Sequence, residues 1–286
     1  MLVTGAGGGI GRAVAVRLAR DGMDVVLVGR DRGALDAVRD DLGPGDHACC
    51  PFDVRDEAAW SAAVPTIAPD GRLTGVVTAA AQLTPVGPIG SWTVEAFRAT
   101  LDVNVVGTLL AVTSTLGALQ AAGGAVVTFS GGGATSPLAR YDAYAVSKAA
   151  VVRLTENLAG ELAPSGVRIN SVAPGFVVTA MHQATVDAGP ERAGPAYHER
   201  TRRAIERGEG DSPELAASLV AFLLSEEAAG ITGKLLSARW DPWEDHGFRS
   251  RLRGEEDLAT LRRIDDQFFT TVPEEARETE PVGETE

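Results

Sequence analysis

The sequence predicts an α/β fold: a doubly wound parallel sheet with helices on both faces, in a single domain. Three observations predict it. Short apolar runs such as Gly75–Thr78 and Ala125–Phe129 alternate with helical segments, and strands covered on both faces read as such runs. The chain opens on a strand fragment that enters a glycine-rich turn and then a stretch of helical period. Its 286 residues, 44% of them hydrophobic, bury a full core without a second domain.

The first strand is short, because only Met1, Leu2 and Val3 precede Thr4, against about five or six residues in a typical strand. The sequence leaves open whether that strand is short in fact or begins upstream. Gly5, Gly9 and Gly11 follow, where a backbone turns tightly and lets a phosphate come close. Arg12 to Arg20 carries Ala, Val and Leu at helical spacing, so its N-terminal amides and dipole face that phosphate. A flexible glycine loop is the alternative reading, and the strand–turn–helix context weighs against it. The next strand, Asp24 to Val28, ends in Gly29-Arg30-Asp31, where dinucleotide folds of the Rossmann type contact the adenosine ribose. A further strand ends at Phe52.

Tyr144 and Lys148 lie four residues apart and share one face of a helix. A free phenol, with a pKa of about 10, is a poor acid or base near neutrality. A neighbouring ammonium favours the phenolate and brings that pKa down. Alone the spacing is weak; the upstream glycine turn gives it weight.

Residues 180–210 read as polar and irregular, broken by Gly189-Pro190, Gly194-Pro195 and Gly208-Glu209-Gly210. Between these breakers, Tyr197 to Arg207 reads as a short charged helix in a mobile lid. Its Arg200, Arg202, Arg203 and Arg207 either grip an anionic substrate or pair with Glu199, Glu206 and Glu209 on a solvated face, the favoured reading. His182 is a substrate contact or an ordinary surface histidine. Asp211-Ser212-Pro213-Glu214 starts a helix that runs to about Ser225, apolar through Leu215, Leu219, Phe222 and Leu223. Lys234 to Ala238 reads as the last strand, which closes a domain of residues 1–238.

An extension over residues 239–272 carries Trp240, Trp243, His246, Phe248, Phe268 and Phe269, with an amphipathic stretch near Glu255–Phe269. It covers a substrate pocket, embraces a neighbouring subunit, or buries its aromatics on its own domain. Residues 273–286 are rich in Glu, Pro and Thr and are expected to form a disordered acidic tail.

The net charge of −13 argues against nucleic acid and anionic membranes as partners. No stretch is expected to approach the roughly 20 apolar residues of a membrane span, and no signal peptide is expected. Cys49 and Cys50 are adjacent and read as free thiols, as a reducing cytoplasm allows. The four histidines are scattered, so no metal site is expected.

With these motifs in place, the chain resembles the short-chain dehydrogenase/reductase family over roughly residues 1–240. Thr4, Gly5, Gly9, Ile10 and Gly11 fall in a turn that matches the family's Thr-Gly-x-x-x-Gly-x-Gly. Asp53-Val54 resembles the pair that contacts the adenine, and Ala79 and Ala80 fall in the loop that shapes the backbone around the cofactor. Asn104 matches the family's asparagine, Tyr144 and Lys148 its acid/base pair, and Pro174, Gly175, Val177 and Thr179 its nicotinamide-carboxamide segment. The resemblance implies hydride transfer between nicotinamide C4 and a carbinol or carbonyl carbon of a small molecule. Sugars, polyols and secondary-metabolite ketones are candidate substrates, and a homodimer or homotetramer is expected. In the implied scheme Tyr144 exchanges the proton and Lys148 tunes it while holding the nicotinamide ribose. Asn104 supports a relaying water, and Ser130 steadies the substrate oxygen.

Two departures stand out. Thr78-Ala79-Ala80-Ala81 replaces the family's Asn-Asn-Ala-Gly, which puts cofactor affinity and stability in question. The family's catalytic serine lies about 13 residues before the tyrosine; that position is Gly131, and the nearest serine is Ser130. Ser130 is expected to reach the substrate oxygen through the freedom of Gly131-Gly132-Gly133. Otherwise Ser130 only caps the strand end, and glycine amides or Ser136 assist instead.

Cofactor choice turns on Gly29 and Arg30. An acid at Gly29 would favour NAD, whereas Arg30 suits a 2′-phosphate and points to NADP. Gly8, in place of a basic residue, and the nearby Asp31 pull the other way, toward NAD. A cofactor-binding sensor or scaffold, or a nicotinamide-dependent epimerase or dehydratase, remains as an alternative.

Overall fold

The structure is a computed structural model, described over residues 1–263. Seven strands form its centre: β1 (Leu2–Thr4), β2 (Val26–Gly29), β3 (Ala48–Pro51), β4 (Gly75–Thr78), β5 (Ala125–Phe129), β6 (Arg168–Ala173) and β7 (Leu235–Ser237). They pair in parallel in the order β3-β2-β1-β4-β5-β6-β7. The short β1 lies inside the sheet, with Val3 opposite Leu27 on one side and Val77 on the other. The strand order reverses at β1 and β4, and the crevice beyond their carboxyl ends is where such sheets take ligands.

Period two decides which layer each side chain meets. Val3, Leu27, Val77 and Val127 pack toward α1 (Gly9–Arg20), α2 (Arg32–Asp41) and α9 (Pro213–Leu224). Leu2, Val26, Val28, Val76 and Val126 pack toward α3 (Glu57–Ile67), α5 (Gly107–Ala122) and α6 (Asp142–Leu162). The result is the doubly wound α/β arrangement expected from the apolar runs.

Helix α4 (Val94–Leu101), a π-helical turn over Asp102–Val106 and α5 form one continuous helix, Val94–Ala122. It has 29 residues, and an 18-residue window of it reaches a mean hydropathy of 1.5, long and apolar enough by length and composition to cross a membrane. Its abundant Ala, Leu, Val and Gly make it so, although Glu95, Arg98 and Asp102 interrupt any strictly apolar run. Ala111, Val112 and Leu119 bury one side of it in the core beneath the sheet.

Residues 180–210 are mostly helical: α8 (Pro195–Arg207) takes in the expected helix over Tyr197–Arg207, and α7 (Gln183–Ala193) stands where the segment read as irregular. Gly189, at φ 74°, kinks α7, and Pro195 sits in the first turn of α8, where its missing N–H costs nothing. Breakers between helices here also start them.

Beyond β7, α10 spans His246–Gly254, earlier than the amphipathic stretch expected near 255–269. Asp245 fixes that start, its carboxylate accepting from Phe248 N at 2.8 Å. Trp243 is buried and stacks on Phe222 at 5.7 Å, and Leu252 joins the same core, so this part packs on its own domain. Phe268, Phe269 and the expected tail over 273–286 lie outside the described residues.

Candidate active site

A cleft of about 1290 Å³ follows the carboxyl ends of the strands. At one end, Gly5 takes φ +64°, and a Cβ there would lie 2.6 Å from Ala80 N. Only a residue without a side chain lets β1 run this close to the loop after β4. Ala79 and Ala80 supply that loop and line the cleft. Thr4 does not line it, against expectation: it is buried, and its hydroxyl accepts from Ala80 N at 3.2 Å, bracing the two strand ends. Thr78 leaves its hydroxyl buried without a partner, a local penalty where the family pattern differs.

Gly9, Ile10 and Gly11 line the cleft at the start of α1, which carries no side-chain cap. The unsatisfied amides of that first turn suit a pyrophosphate. Thr179 closes over them, since a Cβ at Gly9 would come within 2.9 Å of its methyl group. Asp53 and Val54 line the far end, held by buried Trp60, whose Nε1 donates to Val54 O at 2.9 Å. The Arg55 guanidinium bonds the Asp53 carboxylate and holds it below its usual range. The Asp31 carboxylate caps α2, accepting from Ala34 N at 3.1 Å. Arg30 lines the same end, exposed and bonded to no carboxylate among the described residues. An uncapped helix start, close-packed glycines and a guanidinium whose charge also acts on Asp53 together fit a dinucleotide.

Tyr144 and Lys148 share one face of α6 and line the middle of the cleft. Lys148 is buried, and its ammonium donates to Phe129 O at 3.0 Å while standing 5.6 Å from the Tyr144 ring centre. Burial brings the Lys148 pKa down to about 8 and raises that of Tyr144, with Tyr197 adding to the rise. The expected lowering of the phenol by the lysine is therefore not found in this state. Desolvation outweighs an ammonium that is turned to a strand-end carbonyl.

Asn104 sits in the π-helical turn, buried, and does not line the cleft. Its Oδ1 accepts from Gln82 N at 2.7 Å, and its Nδ2 donates to Gln82 O at 2.9 Å and to Ser147 Oγ at 2.8 Å. With these bonds the side chain braces the loop after β4 against α6. Ser147 in turn donates to Tyr144 O at 2.7 Å.

Ser130 is buried at the cleft wall, its N–H donating to Val172 O at 2.9 Å. Its hydroxyl has no protein partner among the described residues. Gly131 abuts the Tyr144 hydroxyl: a Cβ there would collide with the phenol oxygen and lie 3.0 Å from Cζ.

Pro174, Gly175, Val177 and Thr179 line the cleft beside Tyr144. Asp211 secures this segment, accepting from Phe176 N at 2.6 Å and donating its own N–H to Phe176 O at 2.9 Å. It also pairs with Arg239. Ser212, not Asp211, caps α9, with its hydroxyl accepting from Glu214 N at 3.2 Å. Tyr141 is fully buried, hydrogen-bonded to Thr185 at 3.1 Å and pushed up to about 12 by burial. It meets Tyr197 edge-on at 5.0 Å. His182 lines the cleft with Nδ1 accepting from Thr179 N at 3.3 Å, and burial lowers its pKa.

Sequence reasoning missed Gln82, Ser147 and the Asp211 clasp. Ser147 shares the helix face of Tyr144 at three residues' distance, a signal that was available. Asp211 fits a helix cap just as well by type, and Gln82 offers no local signal.

The family profile described as "Enoyl-(Acyl carrier protein) reductase" matches residues 5–238. Levodione reductase of Leifsonia aquatica is 32% identical over 243 residues, covering 82% of this chain and 91% of its own. Human (3R)-3-hydroxyacyl-CoA dehydrogenase is 34% identical over 244 residues, covering 81% and 90%. The crystal structure of a variant of actinorhodin polyketide ketoreductase with NADPH superposes with a TM-score of 0.74 at 26% identity, covering 82% of this chain and 94% of that one. The chain belongs to the short-chain dehydrogenase/reductase family. It is an NAD(P)-dependent oxidoreductase acting on CH–OH groups of small molecules.

Proposed function

We propose that the protein reduces a ketone on a small, sugar-like or secondary-metabolite substrate, and oxidises the matching secondary alcohol, with NADP(H) preferred. The pairing of Tyr144 with Lys148 at the middle of an open cleft carries this reading. When bound, the nicotinamide supplies or accepts hydride at C4. A phenol whose pKa burial has raised is protonated at neutral pH, so Tyr144 stands ready to give its proton to a carbonyl oxygen. In the reverse direction the phenol needs help to lose that proton, and Lys148 is the cation at hand. Ser130 offers its uncommitted hydroxyl to the same oxygen, while Asn104 and Ser147 hold α6 and the loop after β4 in place.

Arg30 supports NADP over NAD, because its donors are free for a 2′-phosphate. Residues 1–238 make up the catalytic and cofactor-binding unit of this reading, with 239–272 as an added segment. A homodimer or homotetramer is favoured by exposed apolar Val106 and Leu109 on the π-turn and α5 and Val146 on α6. The free thiols of Cys49 and Cys50 favour the cytoplasm.

Titration with NADPH and with NADH, followed by nicotinamide fluorescence, tests the reading. NADPH is expected to bind more tightly. A folded protein that binds neither would remove it.

A further inference from the structure

Helix α8 carries four arginines; two are paired on the helix itself and a third, Arg207, with a glutamate just beyond its end. Arg202 pairs with Glu199 at 2.9 Å and also with Glu206, Arg203 with Glu199 at 3.3 Å, and Arg207 with Glu209 at 3.6 Å. Arg200 has no carboxylate partner among the described residues, and it lines the cleft. Its guanidinium lies 4.4 Å from the centre of the Phe176 ring. Stacking engages a flat face of the guanidinium and leaves the N–H edges, which lie in its plane, free to bind an anion in a bidentate way.

The acids of the cleft are elsewhere. Its only acidic lining residues among those described are Asp31 and Asp53, both at the adenosine end and both already bonded. The substrate end holds Arg200, His182 and the apolar Leu83, Leu138 and Met181, with no acid among them. In a chain with a net charge of −13, a cleft end with a free cation and no acid draws anions. One cation, beside a histidine that burial keeps neutral, suits a carboxylate better than a doubly charged phosphate.

We propose that Arg200 binds a carboxylate of the substrate, so that the substrate is a keto acid or the corresponding hydroxy acid; this rests on the carbonyl reduction proposed above. Tyr197 packs with Tyr144 against one apolar cluster, and its ring lies 6.4 Å from the Phe176 ring that Arg200 covers. Arg200 follows Tyr197 by three residues on the same helix face, which is about one turn, roughly 5 Å. The carboxylate therefore sits several bonds from the reacting carbonyl rather than next to it.

The test compares 4-oxo-4-phenylbutanoate with its methyl ester by calorimetric titration of the NADP⁺-loaded protein. Wild type is expected to bind the acid more tightly than the ester by roughly 10- to 100-fold. Arg200→Gln is expected to erase that preference with ester binding retained, and Arg200→Lys to keep part of it. Arg200 is exposed, so circular dichroism should show both variants folded. Equal binding of acid and ester by wild type, binding of neither, or a preference that survives Arg200→Gln would overturn the proposal. An NADPH affinity that falls about tenfold or more in Arg200→Gln would also overturn it, because the anion gripped is then a cofactor phosphate. Failure of wild type to bind NADPH at all removes the underlying function instead, which separates the two failures.

Discussion

At the cofactor end of the cleft, strand ends and short turns bring the backbone into close contact: Gly5 on the Ala80 backbone, and Gly9 beneath the Thr179 methyl group. At the substrate end the walls are side chains from α6, α7 and α8 that hold one another: Tyr141 on Thr185, Tyr197 edge-on to Tyr141, and Arg200 over Phe176. Surfaces of the first kind need only small residues and the right turns. That is how Ala79 stands in for a larger polar residue without opening the sheet. Surfaces of the second kind depend on individual contacts and can change their ligand by changing one side chain. Tyr144 and Lys148 sit where the two meet.

The sharpest division between the ends should come from Tyr144→Phe. Turnover is expected to fall by roughly 10²- to 10⁴-fold with NADPH affinity nearly intact. Full activity in that variant would sink the proton-transfer scheme. Lys148 tests how the junction is maintained. Its pKa lies near 8 when folded, against 10.5 as the ordinary value, so between these the unfolded chain binds more protons and stability rises with pH. In cofactor-free protein, denaturant unfolding at pH 8 and pH 10 should show a gain on the order of a few kcal/mol that Lys148→Met lacks. An equal slope in both proteins would contradict the buried charge. Arg30→Ser touches the cofactor end alone, and NADPH affinity is expected to drop about 10- to 100-fold while NADH binding changes little. Parallel losses for both cofactors would mean that Arg30 does not read the 2′-phosphate. The smallest effect belongs to Ser130→Ala, about a tenfold loss in kcat with cofactor binding retained. An unchanged rate would pass the role to the amides around Gly131.

The comparison also explains what could be read in advance. The order of β1, the glycine turn and α1 follows from hydrophobic period and glycine spacing, because backbone geometry sets that end of the cleft. Tyr144 and Lys148 were legible for the same reason, as spacing on one helix. The substrate end was not. Gly194-Pro195 was read as a break within an irregular segment, but it marks the start of α8, since proline is well placed in a first turn. Which of four similar arginines turns inward is decided by Phe176 and by which glutamates lie within a turn of each, and the composition of the segment alone does not reveal it. Asn104 was found for its type, yet its bonds to Gln82 span 22 residues of chain and become visible only when the loop after β4 and the π-turn meet.

The placement of the tryptophans has an optical consequence. Trp60 and Trp243 are buried, Trp92 is half-buried and stacks on Phe97, and Trp240 stands 75% exposed on the rim of the cleft beside Arg239. Of the four in the chain, only Trp240 faces both solvent and cleft. The molecule thus carries an intrinsic reporter at the mouth of its site, whose emission responds to occupancy while the other three register the integrity of the fold.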